Sequence, residues 1–249
     1  MLSKNTVKFI KSLHQKKFRN LENRFLVEGE KSVLEVMDSV FSVETLVATP
    51  DFIKRNQKSL INFSGQLYEV TQNQLENLGT YKSNKDALVI VEKKKNEGFD
   101  PEPDELILAL DDVKDPGNLG TILRIADWYG IKKVLLSLES AEVYNPKVIQ
   151  SSMGSFTRIK WAYGSLSEAF DRWKVPVYGA FLEGENIHQM KSLEPGVLLM
   201  GNESKGISEG VLNYVSKKVT IPAYGHAESL NVAVATAILV DNFKRLLSQ

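Results

Sequence analysis

Three short polar loops hold the residues of this chain that could do chemistry. The first lies in KDPGNLGTILRIADWYG (114–130), where Pro116 and Gly117 turn the chain, Asn118 can cap the helix that follows and Gly130 ends it. Gly117, Gly120, Thr121 and Arg124 fall on one line of that helix at i, i+3, i+4 and i+7, so two glycines clear space beneath a single guanidinium. The second loop, NESKG (202–206), sets the Glu203 carboxylate directly after the buried strand pattern GVLLMG, where it is costly without a partner. The third, HAESLN (226–231), feeds a helix that is apolar on nearly every side over residues 232–240. Each loop also has a purely structural explanation. Arg124 suits a surface helix, Glu203 a helix N-terminus, and Ser229 or Asn231 an N-cap, although capping alone does not account for the whole hexapeptide.

The composition narrows the chemistry. There is no cysteine, which excludes disulfides, a thiolate nucleophile, Cys-ligated zinc and iron–sulfur clusters. No cluster of metal ligands stands out, so no metal is expected. Neither a GxGxxG nor a Walker A pattern is present, so neither a dinucleotide nor an NTP site is supported. No apolar run approaches the ~20 residues that span a bilayer, and the lysines at the start are not followed by the apolar core of a secretory signal. Together these features point to a cytoplasmic protein with no membrane partner.

Net charge is zero but uneven. Residues 1–91 hold 13 Lys and Arg against 10 Asp and Glu, and the remainder holds 18 against 21. Lys4, Lys8, Lys11, Lys16, Lys17, Arg19 and Arg24 crowd the first 24 residues beside a single acid, Glu22. A concentrated basic end fits a nucleic-acid surface or, more simply, a solvated helix.

The elements that must position the loops fall into two groups. Residues 1–91 alternate strand patterns (FLVEG, ETLVAT, QLYEV, DALVIVE) with short helical ones, as in a small α/β domain. Phe9, Ile10, Leu13 and Phe18 give the basic start one apolar edge, and Thr71 and Gly79 bound a later helix. EKKKNEGFDPEPDE (92–105), with its charge run, prolines and lack of periodicity, reads as a linker. From 106 to 249, LILALDDV, KVLLSL, VPVYGAFL, GVLLMG and KVTIP are too continuously apolar for half-exposed strands and predict a parallel sheet. In such sheets ligands bind beyond the carboxyl ends of the strands, where the loops lie.

In their order and spacing, PGNLGTILRIADWYG, LMGNESKGIS and IPAYGHAESLNVAVATAI resemble the three motifs of the SpoU/TrmH family of RNA 2′-O-ribose methyltransferases, in the SPOUT superfamily. SSMGSF (151–156) also resembles a family segment, and FLVEGEKSVLEVM (25–37) looks like the start of the L30e-like RNA-binding domain that often precedes the catalytic one. The likeness covers roughly residues 106–245 and departs from the family at Ala223, where methionine is expected. It implies a deep trefoil knot, a homodimer through the C-terminal domain, and S-adenosylmethionine bound largely by backbone groups at Gly201, Ile221 and Leu230, with Ala180 and Phe181 nearby. The implied catalytic residues are Arg124, Asn118, Glu203, Ser229 and Asn231. Arg124 is the family's usual candidate for general base. A guanidinium normally stays charged, and could instead fork onto a substrate phosphate and stabilise a developing oxyanion. The implied substrate is ribosomal RNA, a large-subunit guanosine first, with tRNA as an alternative. A non-catalytic RNA-binding or ribosome-assembly factor is the reading from a different class, and retention of these side chains disfavours it.

Overall fold

The structure, a computed structural model, describes residues 2–80, 84 and 86–248. It divides into two compact units. The first comprises Met1–Lys95 and Glu142–Thr157, the second Asn96–Ala141 and Arg158–Gln249.

The first unit runs α1 (Lys4–Ser12), α2 (Lys16–Glu22), β1 (Arg24–Glu28), α3 (Glu30–Met37), β2 (Val43–Ala48), α4 (Pro50–Arg55), α5 (Gln57–Leu60), β3 (Gln66–Glu69), α6 (Gln72–Leu78) and β4 (Ala87–Glu92). Its sheet has the order β1-β4-β2-β3, with β4 antiparallel to both neighbours and β2 parallel to β3. Ile10, Leu13 and Leu75 pack with Leu26, Val47, Leu88 and Ile90 in one core. Ser3 caps α1 by accepting from the Thr6 amide, and Thr71 and Gln74 form a reciprocal capping box on α6.

The basic start proves to be two helices rather than one, and its charges divide. Lys4, Lys8, Lys11, Lys16 and Lys17 are exposed. Arg19 is only 2 % exposed. It donates to the carbonyls of Leu13 at 3.1 Å and His14 at 2.8 Å, and pairs with Glu142. Arg24 pairs with Glu44. Both arginines therefore fasten the fold and leave the five lysines as the cationic surface. The later segment contributes further to this core: Tyr144 and Phe156 meet Phe25 at ring-centroid distances of 4.4 and 6.0 Å, and Phe156 meets Phe41 at 5.5 Å.

The chain continues with β5 (Leu106–Leu110), α7 (Pro116–Trp128), β6 (Lys133–Leu136), α8 (Pro146–Ser152, in the first unit), β7 (Lys160–Tyr163), α9 (Leu166–Trp173), β8 (Val177–Asn186), β9 (Gly196–Met200), α10 (Glu209–Leu212), β10 (Lys217–Thr220) and α11 (Val232–Leu247). Six strands form one sheet in the order β10-β8-β9-β5-β6-β7, and every neighbouring pair is parallel. Every residue of β5 and β9 is buried, as their apolar runs predict. The strand order, with α11 returning to pack on α7 and β9, is consistent with a knotted fold. One strand, β7, escapes the apolar-run criterion because it is an edge strand in which only Ala162 is buried.

The stretch after β4 has no regular structure, yet its second part is tied down within the second unit. Asn96 exchanges hydrogen bonds with the backbone of Tyr163 at 2.9 and 2.8 Å. Phe99 is 7 % exposed and stacks on Trp173 at 5.7 Å. The Asp100 carboxylate accepts from Arg172 at 2.7 Å and the Trp173 indole at 3.0 Å. Lys133 donates to the Asp100 carbonyl, Glu102 and Glu105 at 3.0, 3.2 and 2.7 Å. Hydrogen bonds from Arg172 and, less strongly, Trp173 hold Asp100 below the usual carboxylate range.

Candidate active site

The loops after β5 and β9 and the loop before α11 meet at the carboxyl end of the sheet. Asp115, rather than Asn118, caps α7: its carboxylate accepts from the Asn118 amide at 2.8 Å, and Pro116 opens the helix. A proline already carries the φ of a first-turn residue and lacks the amide that would need a partner, so the helix starts before Asn118. That leaves the Asn118 side chain free for other contacts. Its Nδ2 donates to Glu203 Oε1 at 3.0 Å, and its Oδ1 accepts from Asn231 Nδ2 at 2.9 Å. Glu203 Oε1 also lies 3.4 Å from the Asp115 amide. Asn231 meanwhile caps α11, accepting from Ala233 N at 2.9 Å and Val234 N at 3.4 Å. Cap and site are thus one residue, with the oxygen holding the helix and the amine reaching Asn118.

The structure brings together Glu203, Asn118 and Asn231 in one hydrogen-bonded chain across three loops. Arg124 and Ser229 stand outside it. Arg124 is exposed on α7 and its side chain makes no hydrogen bond or ion pair among the described residues. Thr121, one position short of a turn before it, bonds back to the Gly117 carbonyl at 2.8 Å. Behind them, Leu119, Gly120, Ile122, Leu123 and Ala126 form the buried face of α7. Tyr129 donates to Asp241 of α11 at 3.1 Å, and burial together with that carboxylate raises its phenol above the usual range.

The residues expected at the cofactor include Gly201 and Ile221, which directly follow the carboxyl ends of β9 and β10. Gly201 approaches its own loop so closely that an added Cβ would sit 2.3 Å from the Gly206 carbonyl carbon, so only glycine fits. In β8, residues 180–184 are looped out of the pairing, because Lys218 and Val219 are consecutive while their partners are Gly179 and Glu185. Ala180 and Phe181 belong to that bulge, and Lys218 sits over the Phe181 ring at 4.9 Å. Ile221 and Leu230 bound a stretch, residues 222–230, that makes no hydrogen bond among the described residues; its residues 223–230 are exposed. Tyr224 is 90 % and Leu230 48 % exposed. The backbone amides and carbonyls of this stretch are open to solvent, and so are available to a ligand recognised by backbone groups. Among the described residues no group of three or more His, Asp or Glu could hold a metal ion.

Sequence reasoning missed three residues here. Asp115 is signalled by its place before Pro116. Asn202 and Asp112 are not signalled, because their roles depend on contacts between loops. Asp112 has φ +58°, and its carbonyl accepts from Asn202 Nδ2 at 2.7 Å.

Residues 4–89 match the MRM3-like substrate binding domain, and residues 105–241 match the SpoU rRNA Methylase family. The chain is 34 % identical to the 23S rRNA (guanosine(2553)-2'-O)-methyltransferase RlmP of Bacillus subtilis, over 96 % of this chain and 95 % of that one. It is 27 % identical to the 23S rRNA (uridine(2479)-2'-O)-methyltransferase of Streptomyces viridochromogenes, over 92 % and 86 %. An rRNA methyltransferase of Sinorhizobium meliloti, solved with AdoMet bound, superposes with a TM-score of 0.87 at 30 % identity, over 98 % of this chain and 96 % of that one. With the parallel sheet, the three-loop site and these matches in agreement, the chain belongs to the SpoU rRNA methylase family.

Proposed function

We propose that the protein methylates a ribose 2′-hydroxyl of large-subunit ribosomal RNA, with S-adenosylmethionine as donor and a guanosine as the first candidate nucleotide. The observation that carries this reading is the Glu203–Asn118–Asn231 chain joining three loops at the carboxyl end of the sheet, with Arg124, on the same helix as Asn118, making no hydrogen bond or ion pair among the described residues. Two relatives spanning most of the chain act on 23S rRNA, which favours that substrate over tRNA. The donor brings an already activated methyl group, so the protein's share of catalysis is positioning.

Backbone groups at Gly201, Ile221 and Leu230, with Ala180 and Phe181, are our candidates for holding the cofactor. Glu203 fixes the orientation of the Asn118 amide, and Asn118 in turn orients Asn231. With Ser229, these polar groups would fix the ribose. The planar guanidinium of Arg124 offers two parallel N–H groups, which suit a phosphate and the oxyanion that develops as the hydroxyl loses its proton.

The exposed lysines of α1 and α2 supply RNA affinity in this reading. Replacing Lys16 and Lys17 flattens the salt dependence of RNA binding by about one unit per lost phosphate contact; an unchanged slope assigns the RNA surface elsewhere. We also propose a homodimer, supported by the apolar Val234, 49 % exposed on the otherwise covered start of α11, and a cytoplasmic location, where ribosomal RNA is found. A monomeric mass at micromolar concentration in light scattering refutes the dimer. The function itself is tested by mapping 2′-O-methyl marks in RNA from cells with and without the gene, together with calorimetry on EDTA-treated protein. One missing large-subunit mark and metal-independent cofactor binding are expected; an unchanged map, or no binding at millimolar cofactor, overturns it.

A further inference from the structure

Glu203 sits at an exposed loop, and something must hold that loop still. The tie is its neighbour. Asn202 N and O exchange hydrogen bonds with Gly206 O and N at 2.9 and 3.0 Å, closing the turn. The Asn202 side-chain oxygen accepts from the amides of Ser204 at 2.9 Å and Lys205 at 3.0 Å, which fills the inside of the turn. Its Nδ2 then leaves the loop altogether and donates to the Asp112 carbonyl at 2.7 Å. That carbonyl is aimed at Asn202 because Asp112 adopts left-handed backbone at φ +58°, with its amide donating to Ser137 Oγ at 2.9 Å. Left-handed backbone is disfavoured at a non-glycine residue and persists where its surroundings enforce it. Asp111, one residue earlier, reinforces the junction: its amide bonds the Met200 carbonyl at 2.8 Å and its carboxylate accepts from Ser208 N at 2.7 Å.

We infer that Asn202 is a positioning residue for methyl transfer. It clamps the Glu203 loop to the end of β5, so that Glu203 Oε1 meets Asn118 and Asp115 on the helix that also carries Arg124. This rests on the function proposed above and adds a residue whose side chain is engaged by Asp112, Ser204 and Lys205. Its action runs entirely through Glu203. Losing the clamp lets the carboxylate wander by an ångström or so, and displacements of that size cost up to about 10²-fold in rate.

A positioning residue that acts through one partner leaves a signature in a double-mutant cycle. Methyl transfer to deproteinised large-subunit RNA from cells lacking the gene is measured for N202A, E203A and N202A/E203A, alongside cofactor affinity by calorimetry. The expected result is a loss of about 10²-fold in kcat for N202A, an affinity for S-adenosylmethionine within a few-fold of wild type, and a double variant no slower than E203A alone. N202S, which keeps an oxygen for the turn amides but cannot reach Asp112, is expected to behave as N202A does. If E203A is impaired and N202A adds its full loss on top, Asn202 acts independently and the inference fails. It fails equally if N202A weakens cofactor binding by the same factor as kcat, since Asn202 then shapes the cofactor loop. If E203A itself methylates at wild-type rate, the reading of the whole network falls, and this inference with it.

Discussion

Two irregular stretches of the second unit look alike as sequence and differ in what their polar groups do. Residues 96–105 contain two prolines, a glycine and several acidic side chains, and residues 221–231 likewise contain a proline, a glycine and several polar side chains. The first is a strap. Asn96, Phe99, Asp100, Glu102 and Glu105 each have a partner on β6, β7 or α9. The second keeps almost nothing for itself, and between Ile221 and the Asn231 cap no hydrogen bond is made among the described residues. Coil whose groups are satisfied inside the chain is architecture; coil whose groups face outward is available to a ligand. The same distinction separates the two arginines. Arg19 has its charge and three of its N–H groups taken up in the core of the first unit, whereas Arg124 makes no hydrogen bond or ion pair among the described residues.

If this contrast holds, substitutions on its two sides damage different properties. The largest effect is expected at Arg124. Arg124→Lys keeps the charge but loses the planar fork, and removing one preorganised donor costs about 10²–10³ in rate. Cofactor affinity and thermal stability stay near wild type, because that side chain is exposed and makes no hydrogen bond or ion pair among the described residues. Near-normal methylation by the lysine variant would return Arg124 to the class of surface helix residues.

Phe99→Ala is the reverse experiment. It removes a ring buried against Trp173 and is expected to lower unfolding free energy by about 3 kcal/mol while cofactor affinity is retained. Equal stability in a denaturant titration would mean that the strap is only laid on the surface.

The smallest effect is a pH dependence at Asp100. Hydrogen bonds from Arg172 and Trp173 depress its folded pKa, so its contribution to stability is present above the unfolded value of about 3.9 and disappears as pH falls through the depressed one. The stability gap between wild type and Asp100→Asn should therefore be open at pH 6 and close below about pH 4. Because both Asp100 and Arg172 are largely exposed, screening keeps that gap small. A gap independent of pH removes the ionised carboxylate from the strap.

What the sequence discloses here follows from the range of the interactions. Burial on both faces writes itself into consecutive residues, so Leu106–Leu110 and Gly196–Met200 are readable as central parallel strands. Lys160–Tyr163, with one buried residue, is not. Thr71 reads correctly as a cap because its capping box closes within three residues. Asn118 reads wrongly, because the Asp-Pro pair before it competes for the same helix start. The strap looks like a linker since its partners lie 28–73 residues away. In the site, the residue types were legible, but the bond from Asn118 to Glu203, 85 residues on, and that from Asn231, 113 residues on, exist only in three dimensions.

The segment Glu142–Thr157 has a consequence for how the protein is made. Its Phe156 is fully buried, against Phe25 and Phe41, and its Glu142 takes the charge of Arg19. The first 95 residues leave the ribosome without these partners. At about 5–20 residues per second, the missing piece follows several seconds later. During that interval the nascent unit carries an uncovered aromatic face and a buried-to-be arginine with no counter-ion, so its completion is a late event in synthesis although it begins at the N-terminus.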